Sequence, residues 1–144
     1  MPLEPFFNHF PEIGKQETRS LNIVGGAQDG VPEGQYAFVE FYCTERGCDC
    51  RRVILQVAKL DEGVVASVSF GFDRKAPMAG PYLDPLLKQA PYAAALLKLT
   101  EKLLLSDPAY VARLERHYQM LKAQTDPPAA RDRWWKKPKR RRRP

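Results

Sequence analysis

No run of about 18 consecutive apolar residues occurs in this 144-residue chain, so nothing in it reads as a membrane-spanning helix. The opening Met1-Pro2-Leu3-Glu4-Pro5 lacks a basic stretch leading into an apolar one. No secretory leader is read there, and a cytoplasmic location is the expectation. The catalytic signatures GxSxG, GxxxxGK[ST] and HExxH are absent, and no GxGxxG follows a strand-like segment. Gly25-Gly26-Ala27 leads into loop residues, not a helix start, which excludes a phosphate cradle there. Glu12, Glu17 and Glu40 show no spacing that pairs them for acid–base work, and Glu40 is expected to point outward from a strand. Histidine is scarce, with only His9 and His117, and both tryptophans fall near the end of the chain. Cysteine is scarce too: three residues, an odd count that suits a disulfide framework poorly.

Charge is abundant but unevenly placed. Residues 125–144 hold nine Lys/Arg against two Asp, whereas residues 1–124 hold fourteen Lys/Arg against fifteen Asp/Glu. The net charge of +6 therefore belongs to the end of the chain, and the rest is close to neutral. That end contains Trp134, Trp135, Lys136, Lys137, Lys139, Arg140, Arg141, Arg142 and Arg143, broken by prolines. Like charges repel and little there can be buried, so residues 125–144 are expected to be a disordered basic tail. Basic runs attract polyanions by releasing counterions from phosphates, and two adjacent indoles can stack on unpaired bases. The expected partner is nucleic acid, RNA rather than duplex DNA. An anionic membrane surface, a protein partner or a merely solvated tail are the alternatives.

Residues 1–124 read as one domain. Phe6, Phe7 and Phe10 make the first 16 residues an apolar arm, irregular or a short helix, that packs on the body. Thr18–Val24, Gln35–Cys43, Arg51–Lys59 and Val64–Phe72 alternate or carry β-branched and aromatic residues. They predict a meander of three strands, with a fourth added by the first segment. Within Arg51–Lys59, Val53, Leu55 and Val57 fall on one face and Arg52, Ile54 and Gln56 on the other. The proline-rich stretch 73–91 predicts a crossing loop. Tyr92–Leu105 carries apolar residues at helical spacing. Ser106-Asp107-Pro108 stops it and opens a second helix to about Lys122, with Asp107 as N-cap and Pro108 at the first helical position. His117 lies beside that helix's apolar stripe of Val111, Leu114, Tyr118 and Leu121. Two such helices need an apolar surface, and one face of the sheet provides it. The expected class is α+β: an antiparallel three- to four-stranded sheet covered by two C-terminal helices.

All three cysteines fall within eight residues, Cys43-x4-Cys48-x-Cys50, where one strand turns into the next. A hairpin tip brings three sulfurs toward a point, as a zinc ion with Zn–S of about 2.3 Å requires. Structural zinc takes four ligands; His117 is the first candidate for the fourth, His9 the second, and Asp49 the local one. Arg46, Arg51 and Arg52 are expected to favour thiolates, and Arg52 to contact a ligand from behind. Unliganded thiols, inert or reactive, are the plain alternative. An iron–sulfur cluster would also need a fourth ligand.

The stretch Phe38-Val39-Glu40-Phe41-Tyr42-Cys43-Thr44-Glu45-Arg46-Gly47-Cys48-Asp49-Cys50-Arg51-Arg52-Val53 resembles uncharacterised bacterial proteins related to those with a SEC-C motif, a small cysteine-rich zinc-binding segment at the C-terminus. Asp107-Pro108-Ala109-Tyr110-Val111 through His117-Tyr118 resembles their second helix. The likeness spans about residues 35–122 and implies no activity. No cysteine follows Cys50, so the SEC-C segment itself is missing and the basic tail stands in its place. The resulting expectation is a small zinc-binding module that contacts nucleic acid through its tail. The alternative is a thiol-based redox or zinc-dependent enzyme acting through Cys43, Cys48 and Cys50.

Overall fold

The computed structural model describes residues 2–87 and 89–126. The chain runs through β1 (Leu3–Pro5), α1 (Phe6–His9), α2 (Pro11–Glu17), β2 (Arg19–Ile23), β3 (Gly34–Cys43), β4 (Arg52–Lys59), β5 (Gly63–Gly71), β6 (Tyr82–Leu83), α3 (Ala93–Thr100) and α4 (Pro108–Thr125). A π-helical turn, Glu101–Leu105, extends α3. The expected α+β class holds: one antiparallel sheet with helices packed on it. Six strands form the sheet instead of three or four. The order is β1-β3-β4-β5-β6, with β2 also pairing on β3. β1 meets β3 at Phe41–Cys43 and β2 meets it at Gly34–Phe38. One edge is thus shared by two short strands, and of the two forms expected for the arm the helical one is found: α1 and α2 lie between them.

Alternation decides which side of β3 is buried. Tyr36, Phe38, Glu40 and Tyr42 point into the core, opposite Val57 and Leu55 of β4. In turn, Val53, Leu55 and Val57 face Phe70, Val68 and Ala66 of β5. The split expected for β4 is therefore observed. α4 covers this face with Tyr110, Leu114, His117, Tyr118 and Leu121, spaced for one side of a helix, and α3 adds Ala93, Leu96, Leu99 and Thr100. Truncating a core leucine such as Leu114, fully buried, costs about 2–5 kcal/mol in settings of this kind.

β5 is buried from Val65 to Gly71, and residues 79–87 and 89–90 run along its free edge. Ala79, Asp84 and Ala90 bond the backbone of Gly71, Ser67 and Val65. The proline-rich crossing segment therefore closes the sheet's second edge, with β6 as its paired part. α4 starts as its sequence requires: the Asp107 carboxylate accepts from the Ala109 N–H at 3.0 Å and Pro108 follows at the first helical position.

Candidate metal centre

β3 ends at Cys43 and β4 begins at Arg52, so residues 44–51 are the hairpin tip. A turn closes where the Cys48 N–H donates to the Glu45 carbonyl at 3.2 Å, with Gly47 at φ +81°. Arg51, at φ +48°, then reverses the chain into β4. A non-glycine residue held there is a strained position that surrounding contacts must fix.

Those contacts come from α4. The Tyr118 hydroxyl accepts from the Arg51 N–H at 3.1 Å and donates to the Asp49 carboxylate at 3.0 Å. Lys122 donates from Nζ to the Glu45 carbonyl at 3.1 Å, and the Gly47 N–H donates to the Asp126 carboxylate at 3.2 Å. The tip is thereby fixed to the last turns of α4 and to the residue that follows it.

This brings the three cysteine sulfurs within 4.8 Å of one another. All three are free thiols; Cys43 is buried and Cys48 and Cys50 are half-buried. Sulfurs bound tetrahedrally at about 2.3 Å from a metal stand about 3.8 Å apart, so small side-chain adjustments suffice to hold an ion here. The Glu45 N–H donates to Cys43 Sγ at 3.4 Å, and the Arg52 backbone N–H helps Cys50 in the same way. Such donors ease the charge of a thiolate.

The arginines do not act as expected. Arg51 pairs with Asp73 at 3.4 Å, Arg52 donates to Ser69 at 2.8 Å and to Tyr82, and Arg46 is exposed. Burial, with Cys48 beside it, pushes the Cys50 thiol up to about 11. Burial raises Cys43 as well, against the pull of the Glu45 N–H and Lys122. Without a metal these two are thiols at neutral pH, not activated nucleophiles.

Neither histidine joins the cysteines. His117 is fully buried, with Nδ1 at 2.7 Å from Glu40 and Nε2 at 2.6 Å from Glu17. Its ring stacks on Phe6 at 4.0 Å. Both ring nitrogens are engaged by carboxylates, which leaves neither free for a metal. His9 is engaged alike, by Gln124 and Glu4, each at 2.7 Å. Among the described residues the ligand group is Cys43, Cys48 and Cys50 alone.

Sequence reasoning missed the network of the buried Glu40, Tyr42 and His117 with the half-buried Glu17. Glu40 was expected to face solvent; it is buried, and its carboxylate also accepts from the Tyr42 hydroxyl at 2.7 Å. The signal was available: Glu40 shares its parity with Tyr36, Phe38 and Tyr42. The tail candidates Trp134, Trp135, Lys136, Lys137, Lys139 and Arg140 to Arg143 lie outside the described residues. No described helix is long and apolar enough to cross a membrane.

Two predictions follow from the network. Replacing His117 with Leu takes a hydrogen-bond partner from the buried Glu40 carboxylate and costs about 1–3 kcal/mol, read as a lower urea midpoint. The Glu17 carboxyl is held below its ordinary 4.5, first by the hydrogen bond from His117 and then, against some burial, by Arg116. A lowered folded-state value favours the native state above about pH 4.5, and that contribution fades as pH falls through the folded value. Glu17→Gln should flatten the acid limb of the stability–pH curve and leave its neutral-to-alkaline slope unchanged.

Comparison with protein-family models, with curated proteins and with solved structures finds no match to this chain, so its function is argued from its own residues.

Proposed function

We propose that this chain is a small binding module whose hairpin tip is held by one zinc ion on Cys43, Cys48 and Cys50, and whose basic tail contacts nucleic acid, RNA in preference to duplex DNA. The observation that carries this reading is the convergence of three sulfurs in a loop fixed to the end of α4. Zinc suits three thiolates, tolerates tetrahedral geometry and adds no redox chemistry of its own. Its role here is structural. An ion on the three sulfurs stiffens residues 43–50, and the bond from Gly47 to Asp126 passes that order to the root of the tail. The tail then presents its cations from a fixed origin. Lys and Arg neutralise phosphates, and Trp134 and Trp135 stack on unpaired bases.

Three free thiols suit a reducing compartment such as the cytoplasm. The thiol-based alternative has less behind it, because burial holds Cys43 and Cys50 as thiols.

Chelation of the metal, or Cys48→Ser, should lower the melting temperature of the reduced protein; for a domain of this size a loss of about 2 kcal/mol is a shift of several degrees. An unchanged melting temperature under both treatments contradicts structural zinc. RNA binding should weaken steeply with salt. With about seven phosphates neutralised, log K falls with log salt at a slope of about −5 for a single strand. Deleting residues 131–144 should abolish binding while leaving the thermal unfolding of the body intact, and retained binding would remove the tail from the account.

A further inference from the structure

A tetrahedral ion on Cys43, Cys48 and Cys50 has one more corner to fill. Among the described residues no fourth cysteine, histidine, aspartate or glutamate joins the three. Both histidines have both ring nitrogens engaged by other side chains, and Asp49 is held by Tyr118. Beside Cys48 a cleft opens between the hairpin tip and the end of α4, lined by Asp49, Arg51, Gln119, Lys122 and Asp126. Lys122 forms no ion pair among the described residues, and its Nζ, donating to the Glu45 carbonyl at 3.1 Å, stands at the hairpin tip. Arg51 meets only the half-exposed Asp73. Cys48 thus borders a cleft with the cations Lys122 and Arg51, and the two carboxylates there, Asp49 and Asp126, accept hydrogen bonds from Tyr118 and Gly47.

We propose that this centre takes its fourth ligand from outside the chain, through this cleft: the thiolate of a small molecule that also carries a carboxylate. A centre of three thiolates is soft and favours a fourth soft donor. On binding, a metal–sulfur bond forms, the thiol proton leaves to solvent and a water molecule is the group displaced from the metal. The carboxylate meets Lys122 and Arg51, which offset the negative charge that four thiolates leave on a divalent ion. This inference rests on the metal-binding reading above.

The test uses the full-length reduced chain loaded with one equivalent of Co2+, whose visible and thiolate-to-cobalt absorption reports geometry and sulfur count. Mercaptoacetate should strengthen the thiolate-to-cobalt band to saturation, whereas acetate should leave the spectrum unchanged. Mercaptoacetate should also bind roughly tenfold more tightly than 2-mercaptoethanol, and Lys122→Ala should bring the two thiols close together. Circular dichroism checks that the variant is folded. No response to mercaptoacetate, equal affinity for the two thiols in the unmodified protein, or a cobalt spectrum altered by Asp49→Asn before any thiol is added would each overturn the proposal. Failure of cobalt to bind Cys43, Cys48 and Cys50 at all is a different result, and it removes the metal-binding reading itself.

Discussion

Two adjacent residues of α4 hold this molecule together, His117 toward the sheet and Tyr118 toward the cysteine loop. The His117 ring joins the N-terminal arm through Glu17 and Phe6 to the sheet through Glu40. Tyr118 fixes the loop that carries the thiols by bonding both sides of the Arg51 turn. The apolar burial of α4 supplies the larger share of its stability, because it is spread over many side chains. The polar contacts set register. Sliding α4 by one residue would take His117 from Glu40 and leave that buried carboxylate with only the Tyr42 hydroxyl. A fixed α4 is what permits a fixed cysteine loop.

That constraint gives the thiols their character. Burial, with the neighbouring sulfurs beside them, raises Cys43 and Cys50, so without a metal these two stay thiols. A divalent cation inverts this balance and makes thiolates the favoured form. Binding then releases protons and is coupled to ordering of the tip. The same loop bonds Asp126, beyond which the chain turns from near-neutral to strongly basic. The metal reading and the tail reading thus meet at one place in the fold.

Much of this was legible in the sequence. The four longer strands follow from alternation, and α4 from the Ser-Asp-Pro stop that begins it. β1 and β6, with three and two residues, are too short for alternation to mark, and neighbouring strands define them. The clustering of sulfurs followed from cysteines on either side of a hairpin turn. The ligand role expected of His117 did not follow. Histidine near an apolar stripe pointed inward as expected, but a carboxylate on each side engages a ring nitrogen before any metal can. Finding that required placing Glu40 on the buried face, and its charge argued for the opposite face until its parity with Tyr36, Phe38 and Tyr42 was weighed. Arg52 misled in a similar way: it sits next to the cysteine loop in sequence, yet strand alternation turns it toward Ser69 and Tyr82.

The most direct test of the central claim is native mass spectrometry of the full-length, reduced protein in the presence of zinc. The account requires a single zinc ion per chain, a mass showing that the thiols have lost protons on binding, and no bound zinc when Cys50 is replaced by Ser. A spectrum of metal-free chain with three intact thiols, unchanged by added zinc, would contradict it.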